Sequence, residues 1–183
     1  MNTKTLNALQ VLAKIGRILS TIVLVFSIVG AALCALGILS LALIPNGIKI
    51  GGTNIQGIVA QKAGWSMPTC YLAMTQGVII CAGEAVLAKF AERYFKNELA
   101  AGTPFTFDGA KELMRLGILA ICVSTGTLIL AAIVYGIFRV TAENVAKPEL
   151  DNSASVIIGV MMIVGSYLCR HGAEVSDKPA ETA

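Results

Sequence analysis

Long uncharged apolar stretches alternate with short charged segments along this chain of 183 residues. A transmembrane helix needs about 20 predominantly apolar residues, and four stretches without Asp, Glu, Lys or Arg approach or exceed that length. These stretches are Ile18–Ile44, Ala63–Gly83, Leu116–Phe138 and Asn152–Cys169. The pattern predicts an all-α fold, a four-helix transmembrane bundle with spans at about 18–44, 67–88, 114–138 and 153–169.

The charged segment after the second stretch keeps a helical character. Glu84–Leu99 contains neither Gly nor Pro, and Glu92 with Lys96 forms a favourable i,i+4 pair. Gly102 is suited to end this helix, and Thr106 is suited to cap the next one. We therefore expect a cytoplasmic helical hairpin between spans two and three.

The connection Pro45–Ser66 has a different pattern, in which the segment Ile-Lys-Ile-Gly-Gly-Thr-Asn-Ile alternates around two glycines. Alternation interrupted by glycine is typical of a small β-hairpin. A hairpin lying over the bundle and a plain connector are both compatible with the sequence.

Composition supports a membrane protein, and charge predicts its orientation. Hydrophobic residues make up 56% of the chain and charged residues only 14%, whereas soluble domains carry about 25% charged residues. We expect residues 1–183 to form one integral membrane domain with a polar tail at 174–183. With the N-terminus inside, 10 of the 14 Lys and Arg residues would face the cytoplasm, which predicts that both termini are cytoplasmic. The four outside would be Lys49, Lys62, Arg139 and Lys147.

One segment resembles a known family. The run Gly102-Thr-Pro-Phe-Thr-Phe-Asp-Gly-Ala-Lys-Glu-Leu-Met-Arg-Leu-Gly117 is similar to the Pro-Phe-Thr segment of the bacterial domain of unknown function 2975 family, and Tyr167-Leu-Cys-Arg-His-Gly172 resembles that family's last-span ending. Gly109 departs from the larger polar residue usual there. The resemblance implies a small four-span protein of the bacterial inner membrane without an established biochemical activity. Frequent pairing of the family with a helix-turn-helix regulator implies a sensing or regulatory role.

Glu84 is the one ionisable residue predicted to lie well inside a span. An intramembrane carboxylate is either part of a structural ion pair or a functional ion-binding group. Arg17, Arg115 and Arg170 are predicted at the inner ends of the other spans and are its candidate partners. A proton- or cation-coupling role is the alternative.

Polar residues near the middle of spans two and three form a second candidate group. Thr75 and Gln76 would lie at a similar depth to Ser124, Thr125 and Thr127 if the two helices are antiparallel neighbours. Hydrogen bonds between helices are the simpler interpretation, and a wet ligand pocket is the alternative.

The predicted cytoplasmic hairpin is the best candidate for a partner surface. Its residues would be Phe90, Arg93, Tyr94, Phe95, Lys96 and Lys111. The first functional hypothesis is a non-enzymatic accessory or regulatory membrane protein that binds a cytoplasmic protein through this surface. The alternative is a small homo-oligomeric transporter or channel that uses Glu84.

We expect no catalytic group, metal site, cofactor or nucleic-acid contact, because the chain has one histidine, no clustered carboxylates and no phosphate-binding loop.

Overall fold

The computed structural model describes residues 3–43, 49–50, 53–54, 66–102, 106–142, 145–146 and 153–177. Four long helices account for most of them, as the sequence predicts. Helix α1 is Thr3–Leu43, α2 is Met67–Ala101, α3 is Phe107–Thr141 and α4 is Ser153–Asp177. Helices α2 and α3 have 35 residues each, so both are about 52 Å long and exceed the length that a single span requires.

A short antiparallel β-hairpin lies between α1 and α2. Strand β1 is Lys49–Ile50 and strand β2 is Thr53–Asn54, with Lys49 opposite Asn54 and Ile50 opposite Thr53. Of the two alternatives that the sequence leaves open for this connection, the structure shows the hairpin. The polar tail predicted at 174–183 begins within α4, and 178–183 lies outside the described residues.

All four helices are long and apolar enough to cross a membrane, which indicates a multi-pass membrane protein. Large apolar side chains such as Phe26, Leu33 and Leu168 are 63–73% exposed, as expected for residues that face lipid. The buried positions are mostly small. Among the residues that the structure describes, six of the ten buried apolar ones are alanine, and Ser27 and Ser166 are also buried, so the helix contacts depend on close approach of backbones.

The chain divides into two compact units, which we describe separately. Unit 1 comprises Met1–Val25, Glu84–Thr125 and Asn152–Ala183, and unit 2 comprises Phe26–Gly83 and Gly126–Asp151. Unit 1 contains most of the charged helical residues and the candidate partner surface. Unit 2 contains Thr75, Gln76 and the β-hairpin.

Glycines set the helix contacts in each unit. In unit 1, a Cβ added to Gly117 of α3 would lie 2.7 Å from the backbone oxygen of Gly159 in α4. In unit 2, a Cβ added to Gly77 of α2 would lie 2.8 Å from Sγ of Cys34 in α1. Both contacts are of the small-residue type that draws membrane helices together.

Candidate functional site

The turn between α2 and α3 is formed by the residues that the sequence indicates. Helix α2 ends at Ala101, and Gly102 follows with φ of 72°, a left-handed conformation that favours glycine. Thr106 precedes α3, and its Oγ1 accepts a hydrogen bond of 3.0 Å from the backbone N–H of Gly109. The predicted helix stop and the predicted N-cap are both confirmed.

Removal of the cap gives a first prediction. We expect Thr106→Ala to lower the free energy of unfolding by about 1 kcal/mol, because the N–H of Gly109 loses its side-chain acceptor. Thr106→Ser is the matched control, since it keeps the accepting oxygen and should remain close to the parent protein. Thermal unfolding followed by helical circular dichroism measures the difference, and equal midpoints for the alanine and serine variants would contradict the prediction.

A polar contact fixes how α2 and α3 face each other in unit 1. Asn97 Nδ2 donates to both carboxylate oxygens of Glu112, at 2.8 and 3.0 Å. In this antiparallel register, Arg93 lies at nearly the level of Arg115, and Lys96 at nearly the level of Lys111. The two helices thus present their basic residues in pairs.

Two of the three aromatic residues predicted for the partner surface are directed into unit 1 instead. Tyr94 is 8% exposed, and its ring packs against that of Phe95 with centroids 5.3 Å apart in a T-shaped arrangement. A Cβ added to Gly16 would lie 2.6 Å from Cζ of Phe95, so this ring packs on α1. Tyr94 is buried and therefore offers a partner little surface, so its place on the partner surface stays a prediction. Phe90 is 48% exposed and remains available.

The basic side chains of the hairpin are exposed, and some belong to local ion pairs. Lys89 Nζ lies 3.0 Å from Glu92 Oε2, and Lys111 Nζ lies 4.0 Å from Asp108 Oδ1. Among the described residues, the ion pairs include none with Arg93, Lys96 or Arg115. The charges of Arg93 and Arg115 are therefore available to a ligand or a partner. Lys96 is exposed and acts at longer range on Glu92, whose pKa is lowered by the hydrogen bond from Lys89 and also by the charge of Lys96.

Two cavities open between α2 and α3 in unit 1. The first, which we call the tip cavity, has a volume of ≈ 500 Å³. It is lined by Tyr94, Asn97, Glu98, Ala101, Thr106, Asp108, Gly109, Lys111, Glu112 and Arg115. The second, which we call the arginine cleft, has a volume of ≈ 170 Å³. It is lined by Phe90, Arg93, Tyr94, Glu112, Arg115, Leu116 and Leu119.

Glu84 is an exposed residue of α2, and the helix register places it at the level of Ser124 in α3. By the same register, Arg115 of α3 lies at about the level of Tyr94 in α2. Arg17 of α1 also lies at about that level, because its neighbour Gly16 faces Phe95. Ten residues of helix correspond to about 15 Å, too far for either guanidinium to reach Glu84. Arg170 Nε lies 3.3 Å from Glu174 Oε1 on its own helix. The register thus argues against Arg17 and Arg115 as partners of Glu84, and the ion pair expected for Glu84 stays a prediction.

Gln76, of the polar group predicted near the middle of spans two and three, forms a hydrogen bond between helices, as the simpler interpretation expects. Gln76 is 3% exposed, and its Nε2 donates to the backbone oxygen of Ala131 at 3.1 Å. Thr75 Oγ1 donates to the backbone oxygen of Tyr71 on the same helix at 2.8 Å. Gln76 thus faces Ala131, which is six residues beyond Thr125 and four beyond Thr127 on α3. Ser124 is buried, Thr127 is half-buried and Thr125 is exposed.

Comparisons with protein-family models, with curated proteins and with solved structures found no match. The resemblance to the domain of unknown function 2975 family therefore stays a prediction. Within the described residues, no group of three His, Cys, Asp or Glu side chains is placed to hold a metal ion.

Proposed function

We propose that this protein is a small non-enzymatic accessory or regulatory protein of the bacterial inner membrane. It binds a cytoplasmic protein partner through the end of the α2–α3 hairpin. The observation that carries the proposal is the tip cavity, in which charged side chains from both helices surround a volume of ≈ 500 Å³. A cavity with this many exposed charges suits a polar protein segment better than an apolar ligand.

The lengths of α2 and α3 support a hairpin outside the bilayer. Each has 35 residues, about 15 more than the roughly 20 that cross the hydrocarbon core. The excess in α2 contains Lys89, Arg93 and Lys96, and that in α3 contains Lys111 and Arg115. An excess of Lys and Arg in such a segment favours a cytoplasmic location, and both termini would then be cytoplasmic.

Three carboxylates, Glu98, Asp108 and Glu112, and two cations, Lys111 and Arg115, line the tip cavity, and the partner's acidic residues would meet the exposed lysines at its rim. Lys96 and Lys111 are exposed and lie at nearly the same level on the two helices, and Lys111 also lines the tip cavity. Charges at the rim of an interface mainly increase the association rate and select complementary partners. Phe90, exposed on α2, can add apolar contact.

Photo-crosslinking with charge-reversed variants tests the proposal. A photoreactive amino acid at Asp108, which lines the tip cavity, should form a discrete crosslinked product with one cytoplasmic protein. We expect the variant Lys96→Glu/Lys111→Glu to lose this product, because two attractive charges become repulsive. Lys14→Glu/Arg139→Glu changes the net charge equally at exposed positions outside the cavity and should retain it.

Two controls make a negative result interpretable. The same photoreactive group at Leu130, an exposed apolar residue of α3, should not give the product. An Ala101→Cys variant without the native cysteines should react with a membrane-impermeant maleimide in inverted vesicles and not in intact cells. Equal crosslinking by the charge-reversed variant and its control, or labelling of Ala101→Cys in intact cells, would refute the proposed surface.

The transporter alternative, with Glu84 as coupling residue, finds less support in the packing. Gln76, which would line the pathway, already donates to a backbone oxygen in a buried contact within unit 2. The contact between Gln76 of α2 and the backbone oxygen of Ala131 in α3 is a hydrogen bond between helices, as is common in membrane bundles.

A further inference from the structure

The arginine cleft combines two guanidinium groups with apolar walls. Arg93 of α2 and Arg115 of α3 lie at nearly the same level, and both line the cleft. Phe90, Leu116 and Leu119 line it as well. The cleft shares Tyr94, Glu112 and Arg115 with the tip cavity, but neither Lys96 nor Lys111 lines it, so charge reversal at those two lysines leaves its lining unchanged.

The polar and apolar residues of the cleft are separated along the helix axes. On α2, Phe90 precedes Arg93 and lies closer to the uncharged part of that helix. On α3, Leu116 and Leu119 follow Arg115 and lie closer to the uncharged part of that helix. Because the two helices are antiparallel, both apolar walls lie toward the same end of the cleft. The cleft is therefore cationic toward the charged hairpin and apolar toward the membrane-spanning segments.

The charges of the cleft suit an anionic group. Within the described residues, neither Arg93 nor Arg115 belongs to an ion pair. Glu112 is the carboxylate that lines the cleft, and both of its oxygens accept hydrogen bonds from Asn97, which does not line it. Guanidinium groups bind phosphate oxygens with paired hydrogen bonds, and they do so best where water is partly excluded.

We propose that the arginine cleft binds one anionic glycerophospholipid of the surrounding bilayer. Its phosphate lies between Arg93 and Arg115, and its acyl chains run toward the spans along Phe90 and Leu119. A volume of ≈ 170 Å³ accommodates the headgroup region and not a folded protein segment. A free phosphate would use the guanidinium groups alone, whereas a lipid also uses the apolar walls. Basic residues at the membrane surface attract anionic lipids.

Native mass spectrometry of the full chain provides the test, with phosphatidylglycerol and phosphatidylcholine as probes. We expect phosphatidylglycerol to remain bound to the parent protein and phosphatidylcholine to bind at least tenfold more weakly. Arg93→Gln/Arg115→Gln should reduce phosphatidylglycerol retention at least tenfold. Lys14→Gln/Lys96→Gln removes two exposed cations outside the cleft and should retain the lipid.

Further measurements separate a lipid site from a phosphate site and from loss of folding. Phe90→Ala should weaken phosphatidylglycerol binding without changing the charge, and excess inorganic phosphate should not displace the lipid. Arg115→Lys keeps the charge but not the paired donors, so it should retain an intermediate amount of lipid. This variant takes the place of the double variant if the latter fails to fold. Equal retention by the glutamine variant and its control, no preference over phosphatidylcholine, or full displacement by inorganic phosphate would overturn the proposal. The charge-reversed Lys96 and Lys111 variant should still bind the lipid, so the partner surface and the cleft are tested independently.

Discussion

Replacement of Gly117 by alanine is expected to destabilise the contact between α3 and α4 by about 1–3 kcal/mol. The new Cβ would lie 2.7 Å from the backbone oxygen of Gly159 and 2.8 Å from Cγ1 of Ile163. A flexible side chain can rotate away from a methyl group, but a helix backbone cannot, so α4 would have to move. The Tm in detergent should fall by several degrees, and Gly117→Leu should fall further.

The same helix supplies the control for this substitution. A Cβ added to Gly126 meets no other atom within 4 Å. Gly126→Ala should therefore leave stability unchanged or raise it by up to about 1 kcal/mol, since alanine favours the helix over glycine. A Gly117→Ala protein as stable as the Gly126→Ala protein would show that α3 and α4 do not approach as closely as described.

Replacement of Gln76 by glutamate is expected to cost about 3 kcal/mol near neutral pH, because it places a charge at a 3% exposed position inside an apolar helix contact. Glutamate also has no N–H to donate to the backbone oxygen of Ala131. Gln76→Leu should cost only about 1 kcal/mol, since a similar volume is kept and one hydrogen bond is lost.

The free energy of unfolding of both Gln76 variants can be measured in mixed micelles with increasing amounts of denaturing detergent. Thr75→Val is the matched control on the neighbouring residue. Thr75 donates only within its own helix, so its replacement should change stability little. If Gln76→Glu were as stable as the parent protein, Gln76 would face a water-filled path. That result would favour the transporter alternative over packing.

Periodicity and composition were sufficient to predict the four helices, the glycine that ends α2 and the threonine that caps α3, whereas they left the β-hairpin and a plain connector as alternatives. Each of the predicted features depends on local physical chemistry. A span needs an apolar run of sufficient length, the end of α2 needs a residue that accepts positive φ, and the N-cap needs a side-chain oxygen that accepts a hydrogen bond from the N–H three residues later. The signal is contained in the residues that form the feature. This is why Gly102 and Thr106 could be identified without any structure.

The register between helices could not be predicted in the same way. Span boundaries read from a sequence are uncertain by several residues, and an error of one residue displaces a helix by about 1.5 Å along its neighbour. The depths of Glu84 and of the arginines in the membrane could therefore not be compared. The direction of Tyr94 also depended on the neighbouring helix, because an aromatic residue on an amphipathic face can turn toward a partner or toward the bundle. One signal was available and was not used: Asn97 and Glu112 are the polar residues best placed to join the two helices of the hairpin.

The small residues at the buried positions invert the pattern of mutational tolerance that holds for water-soluble domains. There, replacement of a large core residue by a small one causes the damage. Here, Leu33 and Leu168 are exposed and exchangeable with other apolar residues, whereas Ala131 and Ser166, at 0% and 2% exposure, leave no room for growth. Natural variation in this chain is therefore expected to be broad among its bulky residues and narrow at its alanines, glycines and serines.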